Sequence, residues 1–102
     1  MVIKWTPLAI EQLQNFKEIS KAEPHNIKNY ITSLVIFTNS LLSNNELGKI
    51  MFKLNDVNFR QLLYKKHRII YYIKKDEIQI VSVIHTSQNL ERAIAILEKY
   101  YK

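Results

Sequence analysis

The sequence contains no cysteine, one glycine and two prolines among its 102 residues. The lack of cysteine excludes a disulfide framework, a thiolate zinc site and a cysteine nucleophile. A single glycine excludes a glycine-rich phosphate loop and a collagen helix. No uninterrupted apolar run exceeds five residues, whereas a membrane-spanning helix needs roughly 18. We therefore expect a cytoplasmic protein that is not bound to a membrane and whose hydrophobic core supplies its stability.

The composition is typical of an ordinary folded domain. Hydrophobic residues make up 47% of the chain and charged residues 24%, a balance that is too apolar for a disordered protein. The length is short for two domains but sufficient for one domain with its own core. We therefore treat residues 1–102 as a single domain.

The net charge of +6 is concentrated in one segment. Residues 49–75 carry eight lysines and arginines against Asp56 alone, which gives this segment a net charge of +7. Residues 1–48 are balanced, and residues 76–102 carry a net charge of −1. Such a segment attracts polyanions or an acidic protein surface, and salt weakens the attraction. A lysine-rich strand face that only keeps the protein soluble fits the composition equally well.

The first half of the sequence predicts a strand followed by two helices that pack as a hairpin. Val2–Trp5 alternates weakly, and Thr6 then suits a helix N-cap before Pro7 at the first helical position. Pro24 starts a second stretch in which apolar residues recur with helical spacing. A turn cluster containing the only glycine, Gly48, ends this half of the chain.

The second half predicts a sheet and a final helix. Four short runs are rich in β-branched and aromatic residues: Lys49–Leu54, Arg60–Tyr64, His67–Lys74 and Ile78–Ile84. Their connections are too short for crossover helices, so the strands should pair as an antiparallel meander. An amphipathic stretch near the C-terminus, with Ser87 as its N-cap, predicts the last helix. The order β-α-α-β-β-β-β-α indicates an α+β fold, in which the helical hairpin covers one face of a twisted antiparallel sheet.

The hairpin between the second and third of these strands decides whether Arg60 and Arg68 can share a site. If Lys65 and Lys66 form a two-residue turn, Leu63 pairs with Arg68. Because side chains alternate between the two faces of a strand, Arg68 then lies on the face of Leu63, and Arg60 lies on the opposite face. We therefore expect the two arginines to diverge, with only one of them facing the surface that the helices leave uncovered.

Five segments carry short patterns that are informative in their order and spacing. They are Val2–Ala9, Glu46–Gly48, Phe59–Leu62, His67–Tyr71 and Ile80–His85. Together they resemble the ParE/RelE superfamily of bacterial type II toxin–antitoxin toxins. The first two are similar to the family's opening strand with its Ser/Thr-Pro helix start and to its Leu-Gly turn. The others are similar to its hydrophobic-Arg-x-Leu strand, its Tyr-Arg-hydrophobic-hydrophobic-Tyr strand and its closing strand with a terminal histidine.

The resemblance implies a toxin that a cognate antitoxin neutralises, and it allows a homodimer. RelE-like members are ribosome-dependent mRNA endonucleases, whereas ParE-like members poison DNA gyrase and have no recognised hydrolytic site. The spacing from Arg60 to Arg68 follows the ParE pattern. Thr86–Asn89 offers no basic residue where RelE-like enzymes carry one. The resemblance therefore favours the ParE-like branch, which implies a gyrase inhibitor and a role in plasmid stabilization.

Two sets of residues are candidates for function. In a metal-independent mRNA endonuclease, the phosphate and the proton transfers would involve Arg68, Arg60, Lys53 and His85. In a protein that acts by binding, the target or the antitoxin would contact Arg60, Lys65, Lys66, Arg68, Lys74 and Lys75. We expect no metal, because the three histidines are scattered without a carboxylate at ligand spacing, and we expect no cofactor. A third hypothesis is a non-toxic relic that only binds antitoxin.

Overall fold

The computed structural model describes residues 1–19 and 24–101, and the side-chain surroundings of residues 1–16 and 27–99. Its helices are α1 (Pro7–Ile19), α2 (Pro24–Thr38) and α3 (Leu90–Tyr101). Its strands are β1 (Val2–Trp5), β2 (Lys49–Ile50), β3 (Phe59–Tyr64), β4 (His67–Ile73) and β5 (Glu77–His85). The α+β class and the predicted order of elements are confirmed. No helix in these described ranges has the length and apolar character that a bilayer span needs.

The five strands form one sheet in the order β1-β5-β4-β3-β2. Strands β2 to β5 pair antiparallel with their sequence neighbours, as predicted for the meander. β1 pairs parallel with β5, so the sheet is mixed rather than wholly antiparallel. The helical hairpin separates β1 from β2 in the chain, and these two strands form the opposite edges of the sheet.

Helices cover both faces of the sheet. On one face, called the hairpin face below, Ala9 of α1 and Leu34 of α2 are completely buried in a cluster with Tyr71 of β4. On the other, called the α3 face, Ile94 and Leu97 pack into a second cluster with buried side chains of β3, β4 and β5. The prediction for the hairpin is correct, but the second face is not left open, because the apolar stripe of α3 is buried against it.

The helix starts show which N-cap predictions hold. The Thr6 Oγ1 accepts a hydrogen bond from the Ala9 backbone N–H at 3.2 Å, which confirms Thr6 as the cap of α1. For α3 the cap is Asn89 and not Ser87, because the Asn89 Oδ1 accepts the Arg92 backbone N–H at 3.2 Å. Ser87 lies two residues too early and instead contacts the ring of His85.

The strand predicted for Lys49–Leu54 is shorter in the structure. β2 ends at Ile50, and Phe52–Leu54 form a 3₁₀ turn. This turn ends at Asn55, whose φ of 54° is in the left-handed region. Asn adopts this conformation more readily than most residues, because its short polar side chain can hydrogen-bond locally. Asn55 therefore ends the 3₁₀ turn, and this turn replaces the second half of the predicted strand.

The only glycine of the chain lies against a buried tyrosine. The Tyr71 hydroxyl donates a hydrogen bond to the Asn45 carbonyl at 2.8 Å and accepts one from the Gly48 N–H at 2.8 Å. A Cβ on Gly48 would lie 2.6 Å from the Gln61 carbonyl oxygen and 2.8 Å from the Tyr71 ring. This approach leaves no space for a side chain, and the hydrogen bonds fix the segment before β2 to Tyr71 of β4.

Candidate functional site

The hairpin between β3 and β4 has the predicted two-residue turn. Tyr64 pairs with His67 and Leu63 pairs with Arg68. Lys65 has a φ of 50°, the left-handed conformation that a turn of this length requires at its first position. With this register, Arg60 and Arg68 lie on opposite faces of the sheet, and the expectation that they diverge is confirmed.

Arg60 is tied to the backbone on the hairpin face. Its Nη1 donates hydrogen bonds to the Gly48 carbonyl at 2.7 Å and to the Glu46 carbonyl at 3.2 Å. Arg60 is half-buried and lies opposite Tyr71 of β4. Its guanidinium therefore satisfies the carbonyls of the turn that precedes β2, which is a structural use of the charge.

Arg68 and Lys53 are held by side chains on the side of α3. The Arg68 Nη1 contacts the Gln61 Oε1 across the β3–β4 pair. Lys53, on the 3₁₀ turn, forms an ion pair with Glu91 of α3, and both side chains are about two-thirds exposed, at 63% and 67%. An amide and an exposed carboxylate are partners that these cations can exchange for others at low cost.

His85 lies at the end of β5 on the hairpin face, opposite His67 of β4. The Ser87 backbone N–H donates to the His85 Nδ1 at 3.0 Å. Along β4 the residue facing His85 is four positions from the residue facing Arg60, a separation of about 13 Å. The structure thus leaves Arg60 and His85 apart on one face and puts Arg68 and Lys53 on the other side.

The four lysines predicted to bind the target or the antitoxin occupy two turns at opposite ends of the sheet. Lys65 and Lys66 form the β3–β4 turn, and Lys74 and Lys75 lie in the β4–β5 connection. The seven residues of β4 between these turns span about 23 Å. The six side chains predicted to bind the target or the antitoxin are therefore spread over both ends and both faces of the sheet and do not form one compact patch.

A cleft of about 470 Å³ opens between the helical hairpin and the end of the sheet. It is lined by Gln12, Asn15 and Phe16 of α1, Ile27 and Tyr30 of α2, His67 of β4, Val83 and His85 of β5, and Ser87 and Gln88 after β5. Sequence reasoning named only His85 among these as a site residue. No sequence signal joins the others, because four separate parts of the chain contribute them.

His67 lines this cleft, which is called the hairpin cleft below. Its Nδ1 shares a hydrogen bond of 2.6 Å with the Tyr30 hydroxyl, and its ring centroid is 4.3 Å from that of Phe16. Burial, and secondarily the neighbouring His85, lowers the pKa of His67 to about 4. The imidazole is therefore neutral at physiological pH. Within the described residues, no group of three or more His, Asp or Glu side chains is arranged to hold a metal ion.

A comparison with protein families matches residues 3–90 to the ParE toxin of the type II toxin–antitoxin system parDE. Among solved structures, the chain is similar to one described as the chromosomal ParDE TA system from P. aeruginosa. The TM-score is 0.71, with 19% identity over 83% of this chain and 95% of that chain. It is also similar to the YoeB dimer from Staphylococcus aureus, with a TM-score of 0.57 and 22% identity over 80% of this chain and 92% of that one. At these identities the structural likeness supports the fold alone, and curated proteins give no significant match.

Proposed function

The chain belongs to the ParE toxin family of type II toxin–antitoxin systems, and from this membership we propose that it inhibits growth by binding DNA gyrase in the cytoplasm. A cognate antitoxin neutralises it. In this proposal the basic side chains of the sheet contact macromolecular partners, and no bond is hydrolysed. The proposal extends the family assignment to a specific target and a specific surface.

The observation that carries binding over catalysis is the separation of the four candidate catalytic side chains. Cleavage of RNA needs cations and proton-transfer groups around one phosphate. Arg60 is bound to backbone carbonyls on the hairpin face, whereas Arg68 contacts Gln61 on the α3 face. Lys53 lies on the side of α3, whereas His85 lies on the hairpin face. This arrangement supports contact with a partner over a broad surface rather than attack at one point.

The antitoxin surface that we propose follows β3 and the two lysine turns. β2 pairs only with Arg60 and Gln61, so within the described residues no strand lies beside the outer edge of Leu62–Tyr64. An extended acidic segment could continue the sheet along this edge and meet Lys65 and Lys66 at its end. To reach Lys74 and Lys75 as well, it would have to cross about 23 Å of the sheet.

A gyrase assay tests the target directly. We expect micromolar protein to inhibit DNA supercoiling or to accumulate cleavage complexes, and Arg68→Ala to weaken this effect more than Lys28→Ala. Lys28 is exposed on α2 outside the basic segment, so this variant is a matched control for the loss of one positive charge. Unchanged supercoiling and unchanged cleavage complexes would exclude gyrase as the target.

The same protein distinguishes the other two hypotheses. Cleavage of mRNA in the ribosomal A site, abolished by Arg68→Ala in a folded variant, would establish the endonuclease instead. Unaffected growth during strong induced expression of soluble protein would establish the non-toxic relic. Light scattering of the free toxin tests a homodimer, which is the assembly described for YoeB from Staphylococcus aureus.

Salt dependence tests the antitoxin surface. We expect the affinity for the antitoxin to fall as salt is raised, because exposed lysines contribute through screened electrostatic attraction. The double variants Lys65→Gln/Lys66→Gln and Lys74→Gln/Lys75→Gln should each reduce the slope, whereas Lys28→Gln should leave it unchanged. An affinity that does not change with salt would exclude the basic segment from the interface.

A further inference from the structure

The hairpin cleft has a lining without charged residues in a protein that is strongly basic. Among the described residues that line it, none is Asp, Glu, Lys or Arg, although the chain carries a net charge of +6. His67 is neutral near pH 7, because burial lowers its pKa to about 4. An ion enclosed there would lose hydration without gaining a counter-charge. The cleft therefore suits the uncharged part of a ligand.

Aromatic rings form much of the wall of the cleft. The centroid of His67 is 4.3 Å from that of Phe16 and 5.2 Å from that of Tyr30. The His85 ring meets His67 edge-on, with centroids 5.2 Å apart and an interplanar angle of 87°. Rings arranged in this way favour a flat aromatic ligand, which can stack on one ring and meet the edge of another.

Polar groups at fixed positions add hydrogen-bonding capacity to these rings. The Gln12 Oε1 accepts hydrogen bonds from the Val83 backbone N–H at 2.7 Å and from the Ser82 hydroxyl at 3.1 Å. The NH₂ group of this amide is then the part that can donate to a ligand. In His85 the Nδ1 accepts the Ser87 N–H, so Nε2 carries a proton and is a second donor. Asn15, which is exposed at the rim, offers both a donor and an acceptor.

A lysine lies next to the cleft without lining it. The Lys65 Nζ is 5.7 Å from the centroid of the Tyr30 ring, and Tyr30 lines the cleft. The Thr86 backbone N–H donates to the Lys66 carbonyl at 2.8 Å, which holds the loop after β5 beside the lysine turn. A ligand with a flat uncharged ring in the cleft could therefore extend an anionic group toward Lys65.

We propose that the hairpin cleft binds an uncharged nitrogen heterocycle of the nucleobase type, and that a phosphate group attached to this heterocycle contacts Lys65. The ligand could be a free nucleotide or one nucleotide of a single-stranded nucleic acid. Only Lys65 is shared between this site and the proposed antitoxin surface, and the proposal does not depend on gyrase or on the antitoxin. A metal ion is a poorer match, because the two imidazoles have no third ligand within the described residues.

The experiment is an NMR titration of the full ¹⁵N-labelled chain with adenosine, AMP and a hexa-adenylate RNA. We expect saturable shifts at Gln12, Asn15 and the imidazoles of His67 and His85 with all three probes. AMP should bind about tenfold more tightly than adenosine, because a charge-assisted contact to Lys65 adds to the ring contacts. Lys65→Gln should remove this difference, and the control Lys74→Gln, in the turn at the other end of the sheet, should retain it.

A second pair of variants tests the cleft itself. Asn15→Trp places a large ring at the rim and should abolish binding of all three probes, whereas Gln14→Trp, exposed on the same helix but outside the lining, should not. Equal affinities of AMP and the RNA would identify a free nucleotide as the ligand. RNA binding that is tighter than AMP binding, and that Asn15→Trp abolishes, would identify a single strand. The proposal is overturned by the absence of saturable shifts, by binding that Asn15→Trp leaves intact, or by shifts confined to the surface around Arg68.

Discussion

The hairpin face and the α3 face of the sheet each carry one of the two arginines, but they hold them differently. Arg60 donates to two backbone carbonyls beside the buried Tyr71 hydroxyl, so its charge is part of the fold. Arg68 contacts a side-chain amide that can rotate away when a partner approaches. A cation bound by the backbone resists exchange more than a cation bound by a flexible side chain. The comparison gives Arg60 a structural role and leaves Arg68 as the arginine that we propose contacts a partner.

The largest effect that tests this comparison is expected from Gly48→Ala. The added Cβ would meet the Gln61 carbonyl at 2.6 Å and the Tyr71 ring at 2.8 Å, and both are held in the sheet. We expect a loss of about 3 kcal/mol in the free energy of unfolding, as for severe overpacking. Urea denaturation measures it, with the exposed Thr86→Ala as a control that should change stability by less than about 0.5 kcal/mol. A loss as small as that of the control would mean that the backbone around Gly48 shifts at little cost to accommodate the added methyl group.

Tyr71→Phe should cause the next largest loss. The change removes one hydroxyl and leaves both the Gly48 N–H and the Asn45 carbonyl without this partner at a buried site. We expect a loss of about 2 kcal/mol in the free energy of unfolding. Tyr64→Phe is the matched control on the same face, because no hydrogen bond of its hydroxyl is present within the described residues. Equal stability of the two variants would contradict the structural role given to the Tyr71 hydroxyl.

The residues in this comparison show what local sequence could predict. The spacing of apolar residues predicted the strands and helices, and the short Lys65-Lys66 connection predicted the register that separates the arginines. The partner of Gly48 could not be predicted, because Tyr71 is 23 residues away and the contact depends on how β2 and β4 are placed. The hairpin cleft could not be predicted for the same reason, since its rings come from α1, α2 and two strands. Local sequence patterns predict the helices and strands, whereas the site depends on contacts between residues that are far apart in the sequence.

The pH dependence of stability tests the burial of His67 on the hairpin face. The folded-state pKa of His67, about 4, is below the unfolded value of about 6.5. The unfolded chain therefore takes up a proton first as the pH falls, so this stabilisation is complete above pH 6.5 and is lost between about pH 6.5 and 4. Because the ring is only half-buried, we expect a loss of about 1.5 kcal/mol. Urea midpoints at several pH values should fall less steeply for His67→Gln than for the unmodified protein, and parallel slopes would contradict the prediction.

The smallest and most direct test compares Arg60→Met with Arg68→Met. Methionine keeps much of the apolar stem and removes the guanidinium in both variants. Arg60→Met leaves the Gly48 and Glu46 carbonyls without their donor at a half-buried site and should cost about 1 kcal/mol of stability. Arg68→Met leaves only the Gln61 amide without its partner, and this amide can rotate to hydrogen-bond with water. We therefore expect a loss of less than about 0.5 kcal/mol in stability. Binding of the target or antitoxin should show the opposite ranking, with the greater loss in Arg68→Met. Equal losses of stability and of binding in the two variants would mean that Arg60 and Arg68 have the same role.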